Sequence, residues 1–476
     1  MKVTKSNFYK WHRVLGLTAL VPIICWTLSG LSHPFMSNWF RPQIAFESYK
    51  QPVQKCLNPR LSIQEVMDKN QIAAVRNFSL VNFNQTSFYQ VMEKDSLYHY
   101  YAADDGKQLP DADRRYAIYL ARYFTQDSIS AIKSAVLQKS FDNYYQPINH
   151  LLPVWKISFA RPDGMDVYIE TGQNRMGTFN NNTRKSFLWV FEHFHTWNFL
   201  TDIGGEKFHL IVLLTIVSIM FLALLSGVIV YGLFWKKFRE VQQKRKAEQK
   251  DDHRFVHRYH RQIGLAISLI LLLFLTSGAF HLIIQLKHSG AEKAQYAQLI
   301  TRNELGISNL KLPVADSSII KISLANFNHT TYYQVTDTNK KILYYLTTNG
   351  KELQNGDQQY AAFLSNYYCG GLIKGRPLIN RIGQFNNDYG FINKRLPVQQ
   401  ISYPNGENWY IETTTAKLAT KVAGIDRAEG LSFIFLHKFF WMTWAGKNIR
   451  DIVSMIAALT ILIVALLGFT AFIKNK

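Results

Sequence analysis

The chain has 476 residues, 47% of them hydrophobic, and a formal net charge of +21. That length allows two to four domains, and so basic a balance would suit nucleic-acid binding. The apolar residues, however, gather into four runs of membrane-spanning length, so the expected partner is membrane lipid and nucleic acid is set aside.

Taken along the chain, residues 1–35 are a basic start and a first span, and 36–206 a long first outer segment. A second span follows at 207–235, a basic connection at 236–259 and a third span at 260–286. Residues 287–450 form a second outer segment, and 451–476 a fourth span with a short tail. The apolar cores, roughly 14–35, 208–235, 262–286 and 452–473, contain no Asp, Glu, Lys or Arg. Each is close to the ~20 residues that cross a bilayer. LSHPFMSNW (31–39) offers no small-x-small cleavage site, so the first run is expected to stay as an anchor.

Lys and Arg placement orients the spans. The N-terminus carries Lys2, Lys5, Lys10 and Arg13, the connection Lys236–Arg261 holds ten Lys/Arg against four Asp/Glu, and the chain ends KNK. Both termini and the connection are therefore expected in the cytoplasm, with the long segments outside. Three cysteines without a CxxC give neither a disulfide framework nor a thiol relay. Cys56 and Cys369, the two outer ones, do not occupy equivalent positions of the repeat described next.

The chain reads as a tandem duplication. SLVNFNQTSFYQV (79–91) returns as SLANFNHTTYYQV (323–335), and FDNYYQPINHLLPV (141–154) as FNNDYGFINKRLPV (385–398). VYIET (167–171) likewise returns as WYIET (409–413). Each copy is span, outer domain, span, which predicts a pseudo-two-fold axis along the membrane normal. The outer domains read as α+β. Alternating strands flank a turn at Asp104–Asp105–Gly106 and its copy Thr348–Asn349–Gly350, with helices at 62–70 and 114–124 and further strands within 155–179. Aromatic-rich stretches, 185–200 and 431–446, precede the even spans as interfacial helices would.

The histidines carry the chemistry. His12 and His33 bracket the first span, and His260 and His281 the third, with the same spacing of 21 residues. That spacing is roughly 31 Å along a helix and about 60° around it, so both rings lie on nearly one face. A single interfacial histidine commonly snorkels to water. Four at paired positions point instead to ligands facing the bundle interior, and imidazole is a common ligand of transition metals and haem iron. No carboxylate cluster or HExxH indicates hydrolytic zinc. Small residues in LLSGVI (224–229) and in the Ser-Gly pairs at 29–30 and 277–278 permit close helix approach and leave room for a flat macrocycle. His193, His195 and His437 lie in the aromatic stretches; an offset of 242 pairs His437 with His195, and 244 with His193. His209 opens the second span without a histidine counterpart, and His257 lies one turn before His260 as a substitute or supporting ligand.

These features resemble the PepSY-associated transmembrane helix family, also called iron-regulated membrane proteins. WHRVLGL (11–17) and YHRQIGL (259–265), the Ser-Gly ends of the odd spans and the FYQV…DDGKQL and YYQV…TNGKEL hairpins carry the resemblance. It implies PepSY-like outer domains on the periplasmic side of a bacterial inner membrane, and a haem b protein that passes electrons outward to ferric siderophores. The expected fold is thus four transmembrane helices in two duplicated halves with two α+β PepSY-like domains. The expected function is a di-haem b ferric-chelate reductase, with His12 and His260 on one haem, His33 and His281 on the other, and His195, His193 and His437 in reserve for the outer haem. With no GxGxxG helix and a short cytoplasmic connection, electrons must come from a quinol or a separate reductase. Two rivals stand beside it: a non-redox sensor or scaffold binding a periplasmic protein or peptide, and a metal-chelate transporter.

Overall fold

The computed structural model describes residues 5–46, 50–54, 59–247, 255–288, 294–306, 319–370 and 377–474. Its contacts divide into a helical unit (Met1–Arg41, Thr183–Ala291, Ile425–Lys476) and an α+β unit (Pro42–Asn182, Glu292–Gly424). Cys56, and with it any bridge to Cys369, lies outside the described residues, as does His253.

In the helical unit the first span is Lys5–Pro34, the second lies within Phe199–Ala247, the third is Phe255–His288 and the fourth Gly446–Ile473. All four are long and apolar enough to cross a membrane. The first and third each pack on both the second and the fourth. Ala19, Leu213, Val217 and Leu275 lie inside this bundle, while Val14, Val21, Leu28 and Leu269 are exposed on its outside, as lipid contact requires. The second helix runs on past residue 235 to Ala247, because this stretch of Lys, Arg, Gln and Glu holds strong helix formers and no Gly or Pro.

Both even spans are entered through a glycine with positive φ, Gly205 at 78° and Gly446 at 80°. Ahead of each comes a helix ending in a π turn: Asn182–Phe191 into Glu192–Thr196, and Gly424–Ser432 into Phe433–His437. The first π turn packs on the first span and the second on the third.

The α+β unit holds helices α1 (Ile63–Lys69), α2 (Ala112–Thr125) and α3 (Gly356–Cys369). Strands β1 (Ala74–Val75) and β9 (Ile300–Thr301) pair antiparallel. β2 (Asn77–Phe83), β3 (Thr86–Met92) and β4 (Tyr98–Ala102) form a three-stranded meander, as do β10 (Ile319–Phe327), β11 (Thr330–Asp337) and β12 (Ile342–Leu346). Two four-stranded meanders follow: β5 (Ile132–Gln138) to β8 (Arg175–Asn180), and β13 (Leu378–Ile382) to β16 (Lys417–Val422). Leu80 faces Tyr89 across one hairpin as Leu324 faces Tyr333 across the other. The expected turns are there, with Gly106 at φ 78° and Gly350 at φ 70°.

One core joins the two three-stranded sheets through Leu80, Val91, Ile322 and Val335. Tyr116, Leu120 and Phe124 of α2 cover Ile157, Val167 and Ile169, and Tyr360 and Leu364 of α3 cover Ile401 and Ile411 in the same manner. At its N-terminus α1 has a capping box: Glu65 N–H donates to Ser62 Oγ at 3.2 Å and Ser62 N–H to Glu65 Oε2 at 2.7 Å. Ser62→Ala should cost about 1 kcal/mol of unfolding free energy in chemical denaturation, the usual worth of an N-cap. An unchanged midpoint would show the box to be idle.

A buried ion network ties the strands together. Arg175 donates to Glu170 and, at 2.6 Å, to Glu412 Oε1; Arg395 donates to Glu412 Oε2 at 2.6 Å and to the His150 carbonyl at 2.8 Å. Lys321 donates to the Gly172 carbonyl at 2.5 Å, and burial pushes its ammonium down to about 8.

Candidate functional site

At the end of the bundle where the first span begins, His12 and His260 face each other with ring centroids 6.2 Å apart and planes 38° apart. His12 Nδ1 lies 3.0 Å from the Ala223 carbonyl and 3.2 Å from Ser226 Oγ; His260 Nδ1 lies 3.0 Å from the Val464 carbonyl. A carbonyl only accepts, so in both rings Nδ1 carries the proton and Nε2 keeps its lone pair.

Glycine makes room for each ring. A Cβ on Gly227 would come 2.8 Å from His12 Cε1, and one on Gly468 would come 2.8 Å from His260 Cε1. The following arginine reaches the other neighbour: Arg13 lies 4.9 Å from the Phe472 ring and Arg261 4.1 Å from the Phe238 ring. The His-Arg pair of WHRVLGL and YHRQIGL thus pins each odd span to both even ones. His257, one turn before His260, is half-buried.

At the opposite end four histidines gather. His195 and His437 are in ring contact, centroids 6.5 Å apart and planes 86° apart. Phe191 stacks on His195 at 4.6 Å and lies 5.8 Å from His33; Phe433 stacks on His437 at 5.2 Å and lies 5.8 Å from His281. In these matching trios Phe433 and His437 stand 242 residues after Phe191 and His195, which matches His437 with His195 and not with His193. The first span clasps its π turn: Trp26 Nε1 donates to the His195 carbonyl at 3.0 Å. Ser29 Oγ donates to the Trp26 carbonyl at 3.0 Å, so His195 Nδ1–H donates to Ser29 Oγ at 3.0 Å. In the other half, His437 Nδ1 and Ser277 Oγ are both buried without a hydrogen-bond partner among the described residues. His281 Nδ1 meets Glu429 Oε1 at 2.7 Å, and Gln285 Nε2 approaches its Nε2 at 2.9 Å. His33 Nδ1 is 3.5 Å from Ser37 Oγ.

Two candidates from the sequence stand apart. His209 spends both nitrogens on structure, Nε2 donating to the Thr196 carbonyl at 2.6 Å and Nδ1 accepting from Thr201 Oγ1 at 3.1 Å. His193 stacks on Trp189 at 4.4 Å, its Nδ1 donating to the Trp189 carbonyl at 2.9 Å. Sequence reasoning missed the seats Gly227 and Gly468 as a pair, although Ser-Gly at 226–227 and Leu-Gly at 467–468 stand at one offset. Glu429 had no signal, since it belongs to no motif, and Ser29 was read only as a small packing residue of its Ser-Gly pair.

Fold and site together define a multi-pass membrane protein whose four-helix bundle holds histidines at both ends, joined to an α+β unit. The chain belongs to the PepSY-associated TM region family, whose model matches residues 94–469. A comparison with curated proteins finds no match.

Haem, which the family resemblance implies, can be tested against these residues. Among the described residues, no group of three or more His, Cys, Asp or Glu side chains is arranged to hold a metal ion, which leaves paired imidazoles as the available donors. A metal between two imidazoles at about 2 Å per bond would set their rings at a spacing comparable to that of His12 and His260. Fixed Nδ1–H tautomers and glycine seats at His12 and His260 fit such a group.

Proposed function

We propose that the protein is a di-haem b oxidoreductase of a bacterial inner membrane, built by tandem duplication. Both termini are cytoplasmic and the α+β unit, with its two PepSY-like domains, is periplasmic. Electrons enter from a quinol or a separate reductase and leave to a ferric chelate of the siderophore class. The observation that carries this reading is the facing pair His12 and His260, each donating Nδ1–H to a main-chain carbonyl and keeping the lone pair on Nε2.

Haem iron, when bound, takes up and gives up single electrons at a potential set by its ligands and surroundings. His12 and His260 would hold one such group at the cytoplasmic end. Their carbonyl partners fix ring orientation and raise ligand basicity. At the periplasmic end His195 and His437, already in ring contact, are the better placed pair. His33 and His281 flank them behind Phe191 and Phe433, where Glu429 would hold His281 Nδ1–H.

Protein purified from haem-replete cells is expected to show Soret and α bands that shift on dithionite reduction, at about two haems per chain, one for each ligand pair. His12→Ala or His260→Ala should each remove about half of that absorbance, the share of one haem in two. A folded, colourless wild type would sink the proposal, and so would full absorbance in both variants.

A further inference from the structure

The segment that leads from His437 into the fourth span is rich in cations. Lys438 follows His437 directly, and its N–H donates to the Phe433 carbonyl at 3.2 Å. Its Nζ lies 5.0 Å from the centre of the Phe433 ring, the ring that stacks on His437. Lys447 donates from Nζ to the Ser37 carbonyl at 3.0 Å, and Ser37 Oγ is 3.5 Å from His33 Nδ1. Arg450 lies over the Phe440 ring at 4.0 Å. Lys447 and Arg450 both act electrostatically on Lys438, and the acid among them is Asp451. Asp451 is engaged by Asn38 Nδ2 at 3.0 Å.

The equivalent positions of the first half carry no such cations. With Gly205 and Gly446 superposed in sequence, Glu206 stands where Lys447 does, and His209, spent on Thr196 and Thr201, where Arg450 does. Thr196 takes the place of Lys438 in the preceding turn. Cations held together repel one another and draw in an anion. They also run against the usual Lys/Arg bias of the non-cytoplasmic side, so topology does not explain them.

We propose that Lys438, Lys447 and Arg450 seat the electron acceptor, a ferric chelate with net negative charge on its carboxylate or phenolate oxygens. The assignment rests on the redox reading above and adds to it the polarity of the acceptor and the half of the molecule it meets. A lipid phosphate offers the same anionic oxygens, and the test must tell the two apart.

The probe is gallium(III) citrate, anionic and not reducible, titrated calorimetrically into the full chain in phosphatidylcholine nanodiscs. The affinity is expected to fall about tenfold in the Lys447→Glu/Arg450→Glu variant and to weaken with added salt. It should hold in Lys207→Glu, a charge change in the first half. The milder Lys447→Gln/Arg450→Gln variant should show a smaller loss and guards against misfolding. Equal affinity in the wild type and both double variants would overturn the proposal. So would binding abolished when a tenth of the lipid is phosphatidylglycerol, which would assign the patch to lipid phosphate. Haem bands with unaltered citrate affinity in the variants refute this seat alone. A wild type without haem bands refutes the redox reading and the acceptor role together.

Discussion

Glu412→Ala is expected to destabilise the α+β unit by about 3–5 kcal/mol, the cost of removing one partner from a buried ion pair. Glu412 is 1% exposed and accepts from two arginines, Arg175 and Arg395, themselves 4% exposed. Without it Glu170 is the one carboxylate left to both arginines, and Arg395, bonded to the His150 carbonyl, loses its direct ion-pair partner while staying buried. The pH dependence follows. Burial opposes ionisation of Glu412, yet Arg175 and Arg395 outweigh it and hold the carboxyl well below its usual range. A depressed acid contributes stability above its unfolded value, about 4.3, and loses it as pH falls through that value toward the folded one. The wild type should therefore lose stability below about pH 4.3 more steeply than Glu412→Ala. Asp113 and Asp357, raised mainly by burial, act in the opposite sense and are common to both proteins. Parallel urea midpoints at pH 7 and pH 4 measure both effects. A loss under about 1 kcal/mol would mean that the arginines find other partners or water.

The parts of the fold written in local pattern were legible in the sequence. Four uncharged runs gave the spans, and alternation around Gly106 and Gly350 gave the strands, because side-chain period and turn chemistry are local properties. The spacing of His12 and His33 on one helical face was equally local. What the rings touch was not, since that depends on how each helix is rotated against its neighbours. His195 and His193 were indistinguishable until the π turn put Phe191 over His195 as Phe433 lies over His437. His209 looked like a ligand, but the backbone folds Thr196 and Thr201 onto its two nitrogens, a contact no spacing rule encodes. Glu412 sat in plain view within WYIET, but its charge balance comes from Arg175, 237 residues away in sequence.

Glycine-to-alanine changes in the spans provide the most discriminating test of the facing histidines. Alanine is normally the better helix former by about 1 kcal/mol, so a glycine with open space around it should gain stability or stay neutral on replacement. Gly16 and Gly232 have nothing within 4 Å of where a Cβ would stand. Gly227 and Gly468 differ, because the added methyl would lie 2.8 Å from His12 Cε1 or His260 Cε1. A contact that short must be relieved, and either ring is tethered by Nδ1 to a carbonyl of the same helix that carries the glycine. The ring swings away or the helices part, at a cost of about 1–3 kcal/mol for overpacking. Under the proposed function, Gly227→Ala and Gly468→Ala should each lose the cofactor of the cytoplasmic end, about half the Soret absorbance at two haems per chain. Gly16→Ala and Gly232→Ala should keep all of it. If all four variants retain full absorbance and unchanged thermal midpoints, His12 and His260 are not held as the structure places them. If Gly227→Ala and Gly468→Ala lose stability but keep the spectrum, the seats serve packing alone and the ligands of that haem must be sought elsewhere.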